Sequence, residues 1–245
     1  GVLGDKFSRM KIAAAGVFLW SLMTAVTGIA KNFSHLIFAR ALIGVGESAL
    51  TPNAISMLSD LFKQNQRGTA SAIYYLGIPL GVGFGMLIAA FFGPIFGWRA
   101  VFIFLGLIGM GLGILTYFLF EPIRGQLDIN FDKTSKPNSI KDILSMTKSA
   151  LYNSKCLTFV IIGSIFLHIP LGAGNFEVLW AVNERGFTAS SYNSLFGFLF
   201  IIGGTVGALA GGILSDRLSH YFKGGVMTFL VISYIILTPL TVSYR

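Results

Sequence analysis

"GVLGDKFSRMK" (Gly1–Lys11) opens the chain, and "GGILSDRLSHYFK" (Gly211–Lys223) repeats its layout near the far end. In each, a glycine is followed by a leucine two positions on, an aspartate two further, and then basic residues. The first copy holds Gly1, Leu3, Asp5, Lys6 and Arg9; the second holds Gly212, Leu214, Asp216 and Arg217. Both copies lead into long apolar stretches. A charged motif stated twice, in matching positions of two apolar halves, marks parallel repeats of a membrane-embedded unit.

Composition supports that reading. The chain has 245 residues, 54% hydrophobic and 11% charged, whereas a soluble domain carries about 25% charged residues. The net charge of +8 does not indicate a nucleic-acid partner, because the basic residues sit in short loops with no aromatic-interleaved basic face. Cys156 is the single cysteine, so there is no internal disulfide and no thiolate metal pattern. No nucleophile–base pair and no metal cluster is visible. We therefore expect neither an enzyme nor a cofactor. The chain starts inside a loop motif with no signal peptide before the first span, so we expect a truncated piece.

Seven apolar spans are long enough for the roughly 20 residues that cross a bilayer. They cover about 12–30, 36–61, 69–93, 99–120, 156–182, 189–214 and 224–243. Lys and Arg fall unevenly between the loops. Loops 1–11, 62–68, 121–155 and 215–223 hold thirteen, against four on the other side: Lys31, Arg99, Arg185 and Arg245. The positive-inside rule puts the first set in the cytoplasm. The expected protein is a multi-pass integral protein of the plasma (inner) membrane, in contact with its lipids.

The loop after the fourth span is long. Its second half, "SIKDILSMTKSALYN", places Ile140, Ile143, Leu144, Thr147 and Leu151 at helical spacing, and Ser139 with Asp142 resembles a capping box. A short amphipathic helix on the inner membrane surface is expected. The domain division follows: 1–121 as one half, 122–155 as a cytoplasmic linker, and 156–245 as a partial second half.

The repeated loop resembles the signature Gly-x-Leu-x-Asp-Arg-x-Gly-Arg of the major facilitator superfamily, with Ser8 and Ser219 in place of the second glycine. The resemblance implies a helical bundle of two parallel-repeat halves, truncated here to helices 3 to 9 of twelve. It also implies that the two loops act as a conformational latch. Physically, a fixed carboxylate can meet the positive N-terminus of a helix in the other half. Arg9 can meet Asp60 at the inner end of the next helix.

A narrower resemblance is to the Spinster family, especially its bacterial members. It rests on "ARALIGVGESALTPNAISMLSDLF" (39–62), "RGTASAIYYLGIPLGVGFG" (67–85), "FGWRAVFIFLG" (96–106) and "EPIRGQ" (121–126). It is looser further on, where "WAVNER" (180–185) replaces the family's Trp-x-Pro run. The resemblance implies a monomeric, proton-coupled secondary transporter of an amphipathic or lipid-like anion. Organic-anion or sugar-acid proton symporters of the superfamily share the Arg…Gly-Glu pattern. A seven-helix receptor or scaffold is a third reading, disfavoured by the duplicated loop.

Charges inside spans cost about 2.5–3.5 kcal/mol each at the bilayer centre, so the few present need a reason. Arg40 and Glu47 lie seven apart, on one face and about 10 Å apart along a helix axis. Glu47 is the expected proton-coupling carboxylate, and Arg40 with Glu47 the expected substrate contacts; packing residues paired with another helix are the plainer alternative. "LHIPLGAGNFEVLW" (167–180) is the second polar stretch, where Pro170, Gly172 and Gly174 weaken a helix. His168 and Glu177 are further proton candidates there, and Asn175 a further substrate contact. Gly77, Gly81 and Gly85, and Gly203, Gly207 and Gly211, are expected helix-packing ridges. "GVGESA" (44–49) mimics a dinucleotide fingerprint but lies mid-helix with no preceding strand.

Overall fold

The structure, a computed structural model, describes Gly4, residues 7–63, 66–126, 140–174 and 176–219, and scattered positions between 228 and 239. Among the described residues every regular element is a helix. In chain order they are α1 (Arg9–Gly28), α2 (Phe33–Leu61), α3 (Arg67–Tyr75), α4 (Gly77–Tyr117), α5 (Ile140–Asn153), α6 (Lys155–Gly174), α7 (Glu177–Arg185) and α8 (Ala189–Ser219).

Among the described residues four stretches are long and apolar enough to cross a bilayer: Arg9–Gly28, Phe33–Leu61, Arg67–Tyr117 and Ala189–Gly211. The third contains both spans expected over 69–93 and 99–120. They are divided at Gly97, whose φ of 77° and ψ of 157° interrupt α4. That conformation is essentially restricted to glycine. Ile88, Phe92 and Phe96 before the turn face Ala100, Val101 and Phe104 after it, across an apolar cleft of about 310 Å³. The helix is thus broken at one residue.

Local chemistry explains the other boundaries. Ser8 caps α1 by accepting from the Lys11 N–H, and Asn32 caps α2 by accepting from His35 N–H at 2.9 Å. Pro79 has no N–H and crowds the Tyr75 carbonyl, which accounts for the break between α3 and α4. The weak stretch expected around Pro170–Gly174 ends α6 at Gly174, and a new helix begins at Glu177. Gly186, at φ 71°, closes α7. The amphipathic helix expected in the linker is α5. The last expected span, 224–243, lies largely outside the described residues.

The chain forms two compact units. One comprises Gly1–Lys63 and Ile88–Ser194, the other Gln64–Leu87 and Leu195–Arg245. In the first, α1 is the hub. A Cβ at Gly16 would lie 2.7 Å from the Gly46 carbonyl of α2, and one at Gly46 would lie 2.9 Å from Trp20. The post-turn arm of α4 approaches α1 as closely, with Gly106 against Ser21 and Ala25 and Gly113 against Phe18. In the second unit, a Cβ at Gly83 would lie 2.7 Å from the Gly197 carbonyl, and Gly204 meets Pro79.

These are not the glycines of the expected ridges. At Gly77, Gly81, Gly85, Gly203, Gly207 and Gly211 an added Cβ meets nothing within 4 Å among the described residues. A small-xxx-small spacing says which glycines share a face, not which face meets a neighbour. Gly83 is two positions from Gly81, about 200° around the helix. The contrast is testable by thermal unfolding of the full-length protein in detergent. Gly46→Ala is expected to cost about 1–3 kcal/mol by overpacking, while Gly81→Ala costs nothing measurable. Equal melting of the two variants would refute the close approach.

Candidate functional site

Among the described residues the densest polar cluster lies at the end of the helices flanked by basic loops. Arg9, the first residue of α1, is 4% exposed, and Asp60, near the end of α2, is 6% exposed. The Arg9 Nη1 donates to Asp60 Oδ2 at 2.5 Å and to Ser56 Oγ at 2.8 Å. Its Nη2 donates to the Pro122 carbonyl at 3.1 Å. Its Nε and backbone N–H both reach Glu121 Oε1, at 3.4 and 3.0 Å. Asp60 also accepts from the Gly125 N–H at 3.0 Å. Arg124 donates to the Gly4 and Phe7 carbonyls, and its Nη2 lies 4.0 Å from Glu121 Oε1.

A buried ion pair survives only when its remaining donors and acceptors are satisfied. Here the helix exit at 121–125 supplies what the Arg9–Asp60 pair lacks. Burial pushes the Glu121 carboxyl up, but hydrogen bonds from Ser8 and Arg9, together with the Arg9 charge, outweigh it and hold the group below its ordinary value near 4.5.

The expected Arg9–Asp60 contact is therefore present. Glu121, Ser56, the Pro122 carbonyl and the Gly125 N–H were not part of that expectation. Their signal was the "EPIRGQ" helix exit, a run whose partners lie 65 to 120 positions back in the sequence. Gly1 and Asp5 lie outside the described residues. Gly212, Asp216 and Arg217 fall on the last turns of α8, where the side chains of the aspartate and arginine are likewise outside.

The second group sits on α2. Ala39, Gly46, Asn53 and Asp60 are buried at seven-residue intervals and form a seam. Arg40 and Glu47 each follow a seam residue by one position, about 100° around the helix. Both are exposed. The Arg40 guanidinium lies 5.5 Å from the centre of the Phe102 ring, a cation–π contact. Glu47 has no hydrogen bond or ion pair among the described residues. Arg40 and Glu47 share a face, as expected, without pairing.

Beyond the linker, Glu177 opens α7 and accepts from the Tyr192 hydroxyl at 3.4 Å. Tyr192 is 4% exposed and stacks edge-on against Phe187. Glu177 is thus tied to the α7–α8 corner. His168 lies on α6 with its side chain outside the described residues, and Asn175 lies outside them altogether. No group of three or more His, Cys, Asp or Glu side chains that could hold a metal ion occurs among the described residues.

Comparison with known proteins gives this arrangement a context. The Major Facilitator Superfamily profile matches residues 1–244. Protein spinster of Drosophila melanogaster is 28% identical over 231 residues, which are 89% of this chain and 36% of that protein. The sphingosine-1-phosphate transporter SPNS2 of Danio rerio is 33% identical over 132 residues, 52% of this chain and 26% of that one. The probable L-galactonate transporter of Escherichia coli (strain K12) is 25% identical over 238 residues, 92% of this chain and 50% of that one. A crystal structure of a bacterial homolog of the human lysosomal transporter Spinster, inward-facing and unoccupied, aligns with a TM-score of 0.67 at 22% identity. It covers 89% of this chain and 50% of that chain, and it supports the fold alone. The chain spans about a third to a half of the length of the full-length relatives it matches.

Proposed function

The chain belongs to the Major Facilitator Superfamily, and from that premise we propose that it forms part of a Spinster-type, proton-coupled secondary transporter of an amphipathic anion. The observation that carries the reading is the pair Arg40 and Glu47. Both are charged, both lie in a membrane-crossing helix, and both stay exposed beside a tightly packed seam. Arg40 has the Phe102 ring beside it and Glu47 has no ion pair or hydrogen bond among the described residues, and an intramembrane charge left without an ionic partner points to a ligand or an ion. Arg40 offers a planar guanidinium to an anionic headgroup. Glu47 offers a carboxylate that takes and releases a proton. His168 and Glu177 are secondary proton candidates and Asn175 a further substrate contact. Glu177 is the weaker of the two, since Tyr192 already engages it.

The buried Arg9–Asp60 pair supports alternating access. It fastens the first copy of the repeated loop to the end of α2, and a contact of this kind stabilises one state and must release in another. Asp5, Asp216 and Arg217 extend the same latch to the second loop. On this reading residues 1–121 and 156–245 belong to two halves joined by the linker 122–155, with the basic loops in the cytoplasm. The complete protein works as a monomer in the plasma (inner) membrane, as a carrier and not an enzyme.

An organic-acid substrate is the second reading. The L-galactonate relative favours it, as does a 3-(3-hydroxy-phenyl)propionate transporter of Escherichia coli (strain K12) that is 36% identical over 102 residues. Flux of a lysophospholipid against flux of a sugar acid, in proteoliposomes of the full-length protein, decides between them. In the same vesicles Arg40→Lys should weaken binding of the transported anion about tenfold, because the charge stays but the two-pronged fork is lost. Arg40→Ala should weaken it further. Unchanged affinity in both variants would assign Arg40 to its packing on Phe102.

A further inference from the structure

We infer that the turn at 121–126 is a clasp that opens and closes the buried Arg9–Asp60 cluster. The inference rests on the alternating-access reading above and adds the element that works the latch. Three groups on this turn complete the cluster: the Glu121 carboxylate and the Pro122 carbonyl on Arg9, and the Gly125 N–H on Asp60. The turn is also strapped down by Arg124, which reaches the Gly4 and Phe7 carbonyls of the repeated loop. Its shape depends on Gly125, whose φ of 67° lies in the left-handed region.

The consequence is mechanical. All three completing groups lie within five residues on one short piece of chain. A displacement of that piece removes them together. What remains is a buried guanidinium and a buried carboxylate with only each other and Ser56. A polar network that loses several members at once is bistable, because a partly satisfied state is costlier than either a closed or a hydrated one. The displaced piece is also the first part of the segment that runs on to α5 and α6.

The experiment uses the full-length protein in right-side-out vesicles. Cys156→Ser removes the native thiol of this chain, and Ser48→Cys on the exposed side of α2 serves as reporter. Its labelling rate by an impermeant maleimide reads the accessible fraction without reference to any substrate. Asp60→Asn should change that rate. Arg124→Ala should change it in the same sense by about tenfold, the lower range for losing hydrogen bonds from an ionised donor. The double variant should shift it no further than the larger single change. Gly125→Ala, which strains the turn without touching a charge, should act like Arg124→Ala and serves as the measure where Arg124→Ala does not fold. A normal rate in Arg124→Ala or Gly125→Ala beside a shifted Asp60→Asn overturns the clasp, as does a shift in the opposite sense or two shifts that multiply. A rate that no variant moves refutes the latch and the clasp together. A wrong substrate class or a wrong proton carrier shows only in flux and leaves this readout unchanged.

Discussion

Glu47→Gln in the full-length protein abolishes flux driven by a pH gradient, to the level of empty liposomes, while equilibrium exchange of substrate persists in part. Glutamine keeps the volume and hydrogen-bonding reach of the protonated acid but cannot lose a proton. A carrier locked in the protonated form can still bind and exchange, yet has nothing to couple to the gradient. The position of Glu47 supports this outcome. Its neighbour Gly46 is pressed against α1, so α2 is held rigidly at that level, while Glu47 itself is exposed and unpaired among the described residues. The substitution therefore changes chemistry with little effect on packing. The test is paired: gradient-driven flux and exchange in the same proteoliposomes. Loss of both would make Glu47 a headgroup or structural residue, and retained driven flux would pass the proton role to His168 or Glu177.

The largest expected loss of stability comes from Asp60→Ala. It leaves the Arg9 guanidinium buried with one fewer anion, a change that costs about 3–5 kcal/mol. Replacing both partners, Arg9→Met with Asp60→Leu, should cost much less, because no charge is then stranded. Chemical unfolding in detergent measures both. The same cluster carries an acid sensitivity. The Glu121 carboxyl is held below its ordinary value near 4.5 in the folded chain. A depressed carboxylate contributes stability above its unfolded value and loses it as pH falls through the folded one. Unfolding should therefore become easier as pH drops below about 4.5, and Glu121→Gln should flatten that acid limb. An unchanged limb in Glu121→Gln would place the sensitivity elsewhere.

The Arg9–Asp60 pair was legible because two regularities converged on it. The motif recurs in both halves, and its basic residue stands at a helix start beside the end of the following helix. Both apolar arms of α4 were legible for the same kind of reason, since apolar length is a one-dimensional property. The completing groups around the pair were not. A backbone carbonyl and a backbone N–H carry no residue type, and Glu121 meets Arg9 across 112 positions with no local spacing to announce it. The glycines in close contact, Gly16, Gly46, Gly83 and Gly106, were missed for another reason. Helical spacing defined the faces of Gly77–Gly85 and Gly203–Gly211, but contact depends on how helices are rotated, and that is set by all their neighbours at once. For Arg40 and Glu47 the shared face was readable, and the seam that turns them outward, Ala39–Gly46–Asn53–Asp60, was in plain view at the same period.

The turn at Gly97 bears on how the protein enters the membrane at all. Residues 77–117 contain one charged side chain, Arg99. The ribosome thus delivers a 41-residue apolar run with no hydrophilic loop to mark its middle. As an unbroken helix it would be about 60 Å long, twice the hydrocarbon thickness. One glycine breaks it, with one arginine two positions on. Arg99 is caught at the edge by the Trp98 ring, 4.3 Å away, and by the Ala30 carbonyl. Each arm is about 20 residues, the length of one crossing, so the break at position 97 is what lets this run supply two crossings and not one.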